Sequence, residues 1–299
     1  MLKFTKMQGL GNDYVYIDCT NKEINNPQIL AKIISNRHFG VGSDGIILIC
    51  KSDKADFKMK MFNSDGTEAE MCGNGIRCVG KYVYDKGLTN KNKITIETLS
   101  GIKKLNLIIK DNKVDMVSVD MGIPILKAED IPVISNEYPV KNLIIYSNNK
   151  KFKFTCISMG NPHAVTIVDD VDSFDVEKYG KILETSSVFP NRSNIEFVEI
   201  LDKNHIKMRV FERGAGETMA CGSGACASVY ACYLNNLTEK EVIVKLLGGD
   251  LYIKIDDNNH INMIGSADMV FDGNLYLDEK KLEYKKIFEN WQYISFIVP

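Results

Sequence analysis

The stretch Phe62–Tyr84, FNSDGTEAEMCGNGIRCVGKYVY, places Cys72 immediately before a Gly-Asn-Gly turn that leads into a helical pattern. The same arrangement returns 149 positions later in Phe211–Tyr233, FERGAGETMACGSGACASVYACY, where Cys221 precedes a Gly-Ser-Gly turn. The two stretches align without a gap and share a phenylalanine, a glutamate, the cysteine, two glycines and the final tyrosine. Such self-similarity indicates two copies of one structural unit, each with a cysteine at a glycine-rich helix start.

The repeat extends well beyond the two cysteines. At the same offset Gly11-Asn12 matches Gly160-Asn161, and the offset shortens by one residue at Leu99–Gly101 and by another at Val114–Val117. Single-residue slips at turns are typical of two diverged domains. Alternating apolar residues predict strands on both sides of each cysteine helix. We therefore expect an α+β protein with two pseudo-symmetric domains, each a curved, mainly antiparallel sheet or barrel around a central helix.

The repeat also predicts the domain boundaries. An N-terminal domain is expected at residues 1–121 and a C-terminal domain at residues 122–270, with prolines marking the crossover between them. Residues 272–299 form a tail that does not repeat. Part of residues 271–299 is expected to complete the first domain.

Four local predictions accompany this organisation. Apolar periodicity predicts a helix over Val171–Glu184, and Gly-Asn-Pro predicts a tight turn over Met159–His163. In the tail, Leu277–Trp291 has a helical pattern and Tyr293–Val298 has a strand-like pattern.

The composition is that of an ordinary globular protein, with 44% hydrophobic and 25% charged residues. The net charge of −2 gives no reason to expect nucleic acid or an anionic membrane as a partner. The N-terminus lacks the apolar core of a signal peptide, so we expect a cytoplasmic protein whose eight cysteines are mostly reduced. The cysteines and histidines show no zinc-site spacing, so no metal is expected, and most cysteines are expected to be core residues.

The paired cysteines suggest a specific chemistry. A cysteine at a helix N-terminus lies near unpaired backbone N–H groups, which are expected to lower its thiol pKa and to bind a carboxylate. Two such thiols on opposite sides of a pocket suit the inversion of a carbon acid, because one removes a proton while the other delivers one to the opposite face. The two helix starts would stabilise the charge that develops on the adjoining carboxylate.

Several motifs carry a resemblance to a known family. They are Gly9–Asp13, Phe62–Glu68, Met71–Gly75, Met159–His163, Phe189–Asn194, Phe211–Thr218 and Ala220–Gly224. From Phe4 to about Gly273 the sequence resembles the diaminopimelate epimerase family, which are cofactor-independent enzymes of lysine and peptidoglycan-precursor biosynthesis. The resemblance implies an isomerase that interconverts LL- and meso-2,6-diaminopimelate at the α-carbon without pyridoxal phosphate. It also implies a small amino acid as substrate and a homodimer.

The resemblance further implies roles for individual residues. Cys72 and Cys221 would be the two acid/base residues, with His163 and Glu212 assisting around the thiols. Substrate binding would use the backbone at the two helix starts together with several polar side chains: Asn12, Asn63, Gly73, Asn74, Asn161, Asn194, Glu212, Arg213, Gly222 and Ser223. Some members carry a ligand-contacting glutamine where this chain has Gly45, so that side-chain contact is missing here.

Three other functions could use the same residues. A racemase of a cyclic imino acid would share the thiol pair but lack polar groups for a distal amino acid centre. A thiol–disulfide oxidoreductase or redox sensor would use the same two cysteines, although the chain has no Cys-x-x-Cys motif. A binding protein would hold its ligand tightly without exchanging the α-proton.

Overall fold

The computed structural model describes residues 2–276, so the predictions for Leu277–Trp291 and Tyr293–Val298 lie outside the described residues. Within 2–276 the helices are α1 Pro27–Ile34, α2 Gly73–Asp85, α3 Val176–Leu183 and α4 Gly222–Leu234. The strands of the first part of the chain are β1 Leu2–Gly9, β2 Asn12–Cys19, β3 Gly45–Cys50, β4 Phe57–Asn63, β5 Glu68–Ala69, β6 Lys93–Thr98, β7 Gly101–Lys110 and β8 Lys113–Asp120. The later strands are β9 Leu143–Ser147, β10 Lys150–Ser158, β11 Pro162–Ile167, β12 Asn194–Ile200, β13 His205–Glu212, β14 Gly216–Glu217, β15 Glu241–Leu246, β16 Gly249–Ile255, β17 Ile261–Gly265 and β18 Asp268–Leu275.

The strands form one continuous sheet whose pairings fall into two matching series. The first half of the molecule runs β18-β1-β2-β3-β4-β6-β7-β8, and the second half runs β9-β10-β11-β12-β13-β15-β16-β17. In both halves the third and fourth strands are parallel, the fifth and sixth are parallel, and the other pairs are antiparallel. The halves join where β8 pairs antiparallel with β17. The predicted α+β fold with two pseudo-symmetric domains is confirmed.

Each half wraps its sheet around one of the cysteine helices. Helix α2 packs against strands of the first half, including β1, β2, β7 and β8, and α4 packs against β10 to β13 and β15 to β17. Helix α4 is apolar nearly all round, and ten of its thirteen residues are buried, as expected for a helix surrounded by sheet. Ile76 and Val79 of α2 share one continuous core with Ala225 and Val229 of α4, so the core extends across both halves.

The two remaining helices cover the outer faces of the sheet. Leu30 and Ile34 of α1 pack with Val15 and Ile46 in a separate core of the first half. In the second half α3 packs on a cluster of aromatic rings that includes Phe152. The sheet is therefore covered on both faces in each half, with the cysteine helices inside.

Two local predictions need correction. The turn predicted over Met159–His163 is shorter, because β11 begins at Pro162 and places His163 in a strand beside Asn194. Helix α3 begins at Val176 rather than at Val171, because Asp170 accepts hydrogen bonds from the two backbone N–H groups of a preceding turn. Asp175 then caps the helix by accepting from the Lys178 N–H.

The last described strand, β18, is hydrogen-bonded to β1 along almost its whole length, with Leu275 opposite Leu2. This strand begins at Asp268, before the non-repeating tail of residues 272–299. Within residues 2–276 no helix is long and apolar enough to cross a membrane. The same part of the chain has no group of three or more His, Cys, Asp or Glu side chains placed to hold a metal ion.

Candidate active site

Both cysteines cap the helices that follow them. Cys72 and Cys221 have extended backbone conformations, and each thiol accepts a hydrogen bond from the backbone N–H three residues later, at 3.4 Å in both cases. Those N–H groups belong to Gly75 and Gly224, where an added side chain would force a neighbouring side chain to move. A Cβ at Gly75 would lie 2.7 Å from Ile47 Cδ1, and one at Gly224 would lie 2.8 Å from Glu196 Oε1.

The two helix starts meet across the halves of the molecule. A Cβ added to Gly73 would lie 3.8 Å from the Cα of Gly222, and both glycines lie against the Met263 side chain. The amide of buried Asn74 donates to the carbonyl of Ala220, the residue before Cys221, at 3.0 Å. The fold therefore brings together the two loops that the sequence repeat singled out.

Arg77 holds this junction from inside the first half and was not recognised from the sequence. Its guanidinium is fully buried and donates to Asn74 Oδ1 at 3.0 Å, to the Ser266 carbonyl at 3.1 Å and to the Gly73 carbonyl at 3.3 Å. The equivalent position in the repeat is Cys226. The positive charge behind the cysteine loops is thus present on one side only.

The first half-site consists of Cys72 and the groups on β2 and before β3 that surround it. The thiol donates to Asn12 Oδ1 at 3.1 Å, and Asn12 Nδ2 donates to Asp44 Oδ2 at 2.7 Å. A Cβ at Gly45 would lie 2.1 Å from the carbonyl oxygen of Phe62. A glutamine cannot be accommodated there without moving the backbone, which gives a physical reason for the glycine.

The second half-site consists of Cys221 with Asn161, His163 and Glu196. His163 is fully buried, and its ring nitrogens contact Glu196 Oε1 at 2.6 Å through Nδ1 and Asn161 Oδ1 at 3.0 Å through Nε2. Glu196 was not among the residues predicted from the sequence. The repeat contained one indication of its importance, because the equivalent residue in the first half is the apolar Ile47.

Two more of the predicted binding asparagines, Asn194 and Asn63, also have their side chains hydrogen-bonded to the protein. Asn194 donates to the Pro162 carbonyl at 2.7 Å and accepts from the Arg213 N–H at 2.9 Å. Asn63 donates to Thr67 Oγ1 at 3.0 Å. Asn194 thus fixes the backbone of the segment that leads to Cys221.

Glu212, Arg213 and Ser223 lie on the loops around Cys221. Glu212 accepts from Thr218 Oγ1 at 2.6 Å, and Ser223 Oγ is 3.6 Å from the Cys221 sulfur. Arg213 is exposed, and its guanidinium makes one contact with the described residues, to the Asn191 carbonyl at 3.3 Å. Most of that guanidinium is available to a ligand.

Comparison with known proteins identifies the family. The family model for diaminopimelate epimerase matches residues 4–127 and 155–270. The chain is 57% identical to the diaminopimelate epimerase of Methanococcus maripaludis over 275 residues, which is 92% of this chain and 99% of the relative. It is 56% identical to that of Acetivibrio thermocellus over 279 residues, 93% of this chain and all of the relative.

The chain belongs to the diaminopimelate epimerase family.

Solved structures with little sequence similarity share its fold. A probable proline racemase from Agrobacterium radiobacter has a TM-score of 0.69 at 11% identity, covering 93% of this chain and 94% of that one. A phenazine biosynthesis protein of the PhzF family from Bacillus anthracis has a TM-score of 0.67 at 19% identity, covering 92% and 99%. The fold with paired halves is thus common to proteins with different names.

The expectation of lowered thiol pKa values is wrong, although the helix starts do act in that direction. Burial raises the pKa of Cys72, and it outweighs the N–H groups of Gly75 and Asn74 and the charge of Arg77, which lower it. Burial, followed by the negative charges of Glu212 and Glu196, raises the pKa of Cys221 well above its usual range. Desolvation penalises the thiolate more than the helix starts stabilise it.

Two cavities lie away from the paired cysteines. One, of about 470 Å³, is at the end of α4 and is lined by four lysines of the second half: Lys141, Lys150, Lys151 and Lys153. The other, of about 160 Å³, is beside Cys19 and Cys50. At the paired cysteines the helix starts are nearly in contact, and only 6% of Cys221 is exposed.

Proposed function

We propose that this protein interconverts LL- and meso-2,6-diaminopimelate by proton transfer at the α-carbon, a step of lysine and peptidoglycan-precursor biosynthesis. Two relatives that bear the name diaminopimelate epimerase align with it over at least 92% of its length. The observation that carries the proposal is the pair of thiols at two helix starts that nearly meet across the halves of the molecule. Two monoprotic groups on opposite faces of one carbon atom are what a stereoinversion without a cofactor requires.

In this proposal Cys72 and Cys221 exchange the roles of base and acid. A thiolate on one side removes the α-proton, and the thiol on the other side delivers its proton to the opposite face. The bond electrons remain on the carbon and spread into its carboxylate until the second proton arrives. Because burial raises the pKa of both thiols, each thiolate is a stronger base than an exposed cysteine, which suits a weak carbon acid.

The α-carboxylate is held by the N-termini of α2 and α4. The N–H groups at Gly73, Asn74, Gly222 and Ser223 lie in the first turns of the two helices, where backbone donors lack intrahelical partners. Their dipoles favour the negative charge that grows on the carboxylate as the proton leaves. Removing one donor from such a site typically costs about 2.7–4 kcal/mol of barrier.

The distal amino acid centre is bound by polar side chains whose hydrogen-bonding capacity the protein uses only in part. Arg213 is exposed and suits a bidentate carboxylate contact, and Glu212 suits an ammonium group. Asn161 Nδ2 has no hydrogen-bond partner among residues 2–276 and can donate to a carboxylate. Asn12, Asn63 and Asn194 then act by shaping the site, since each already bonds to protein groups.

Proton exchange into heavy water tests the proposal. Wild-type protein is incubated with LL-diaminopimelate, meso-diaminopimelate, L-proline or trans-4-hydroxy-L-proline, and loss of the α-proton signal is followed by NMR. We expect exchange and inversion with both diaminopimelate isomers and none with the imino acids. Exchange with proline alone would favour a racemase of cyclic imino acids, and tight binding without exchange would favour a binding protein.

The homodimer and the cytoplasmic location stay predictions, and light scattering of the purified protein tests the first.

A further inference from the structure

Glu196 is a buried acid whose presence the fold does not explain. It lies on β12 beneath the start of α4, is fully buried, and has an oxygen, Oε2, without a hydrogen-bond partner among residues 2–276. A Cβ on Gly224 would approach its Oε1 to 2.8 Å. An ionisable group is costly to bury, so its retention points to a use beyond packing.

The first half of the molecule shows that the same place can be filled by an apolar residue. The equivalent of Glu196 is Ile47, which lies beneath the start of α2. A Cβ on Gly75 would approach Ile47 Cδ1 to 2.7 Å, much as one on Gly224 would approach Glu196. The architecture therefore needs volume at this position but not a carboxyl group.

The contacts of Glu196 suggest its function. Its Oε1 lies 2.6 Å from His163 Nδ1, and His163 Nε2 lies 3.0 Å from Asn161 Oδ1. A carbonyl oxygen only accepts, so the hydrogen in the second contact belongs to Nε2. Glu196 then fixes the ring from the other side, whichever of the two groups holds the proton between Nδ1 and Oε1. Both ring nitrogens are thereby engaged, and the ring is fully buried.

The chain of contacts ends at an amide that is partly free. The Oδ1 of Asn161 is occupied by His163, while its Nδ2 has no partner among the described residues. In the first half-site Asn12 is different, because its Oδ1 accepts from Cys72 and its Nδ2 donates to Asp44. The Asn161 amide thus has both N–H hydrogens available to a ligand, whereas one of the two on Asn12 is already used by Asp44.

We propose that Glu196 is a positioning residue, which through His163 fixes the Asn161 amide with its N–H₂ toward the substrate carboxylate. The proposal rests on the proposed function for the identity of that carboxylate. His163 acts through Asn161 and does not itself touch the reacting carbon. No proton leaves the Glu196–His163 pair during turnover.

The first test concerns the free protein and needs no substrate. In ¹⁵N-histidine-labelled wild-type protein, the ring nitrogens of His163 are observed by long-range ¹H–¹⁵N NMR and assigned with His163→Gln. We expect Nε2 to carry a hydrogen, because the Asn161 oxygen that it contacts can only accept. A His163 ring with an unprotonated Nε2 would overturn the proposal.

The second test is a double-mutant cycle on kcat/KM. Glu196→Ile installs the residue of the first half, and we expect kcat/KM to fall by up to about 100-fold, because a misplaced binding group costs about that much. In an Asn161→Ala background the same change should cost less than about threefold, since the amide that Glu196 positions is gone. A purely structural role for Glu196 would give the same loss in both backgrounds and would overturn the proposal.

Two further variants control for packing. Glu196→Gln keeps the volume and can donate to Nδ1 from its amide, so it should retain most of the activity and the Nε2–H signal. Ile47→Leu disturbs the equivalent position of the first half without a polar group and should leave kcat/KM within about threefold of wild type. If Glu196→Ile does not fold, the glutamine variant and the NMR spectrum of the wild type still test the proposal. A glutamine variant that loses the Nε2–H signal of His163 but keeps full activity would overturn it. Wild-type protein that exchanges no diaminopimelate proton would instead contradict the proposed function.

Discussion

The two halves of the molecule repeat the same strand pairings but surround their cysteines differently. Cys72 is partly exposed, donates to Asn12, and has the buried guanidinium of Arg77 behind it. Cys221 is almost fully buried and faces two carboxyl groups, Glu212 and Glu196. The shared features suit a symmetric proton transfer, while the differences make one thiol harder to ionise than the other.

Both halves contribute one thiol, and removing either thiol should reduce activity more than any other change. Cys72→Ala and Cys221→Ala should each reduce epimerisation by about 10²–10⁴-fold, because each removes one of two required proton-transfer groups. Steady-state rates with LL- and meso-diaminopimelate measure the effect in both directions. Cys50→Ala, at a half-buried cysteine away from the site, is the matched control. If either active-site variant kept normal rates in both directions, the shared role of the two thiols would be refuted.

The next prediction tests what the halves do not share. Burial raises the pKa of both thiols, but the additional charge of Glu196 acts on Cys221, whereas Arg77 lowers the pKa of Cys72. Iodoacetamide at pH 8 should therefore modify Cys72 faster than Cys221, since the thiol with the lower pKa has the larger thiolate fraction. Peptide mass spectrometry measures each rate in the Cys50→Ser variant, because the hydrogen bond from Cys19 lowers the pKa of Cys50. Equal alkylation rates of Cys72 and Cys221 would contradict the proposed difference between their pKa values.

Glu212 provides a change that should act on both halves together. After burial, its negative charge is among the causes that raise the pKa of Cys72 and of Cys221. Glu212→Gln removes that charge, so both pKa values fall and both thiols should be alkylated several-fold faster at pH 7.5. Faster alkylation of one thiol alone would place Glu212 beside only that cysteine.

The smallest effect compares two equivalent glycines. Gly75→Ala and Gly224→Ala both introduce a Cβ that is too close to a neighbour, and overpacking of this kind costs about 1–3 kcal/mol. The neighbour of Gly75 is the end of a flexible isoleucine side chain, whereas Glu196 is held by His163. Gly224→Ala should therefore destabilise the protein by about 1 kcal/mol more, as measured by urea unfolding. A larger loss for Gly75→Ala would contradict the rigid placement of Glu196.

The repeat in the sequence predicted much of this architecture. The match between Cys72 and Cys221 predicted two similar halves, and the slips at turns matched the strand ends. The end of the turn before β11 was mispredicted, because Pro162 pairs with Ser158 of β10 and the next residue, His163, pairs with Asn194 of the distant parallel strand β12. A pattern of local residues does not reveal such a long-range pairing.

The parts of the site that escaped prediction are those where one copy departs from the other. Arg77 opposite Cys226, and Glu196 opposite Ile47, are charged residues at positions that the fold buries. Periodicity alone does not predict a buried charge, because such residues are mostly exposed. The direction of the thiol pKa shifts was mispredicted for a related reason. Helix position is visible in the sequence, but the degree of desolvation depends on how closely the two halves meet.

Transfer of the proton by two different thiols is tested by the distribution of deuterium early in a reaction run in heavy water. Wild-type protein is given unlabelled LL-diaminopimelate, and product and remaining substrate are separated and analysed by mass spectrometry. If two different thiols remove and deliver the proton, the meso product carries one deuterium at the inverted carbon and the remaining substrate carries almost none. Equal labelling of substrate and product, which a single base would give, would contradict the account.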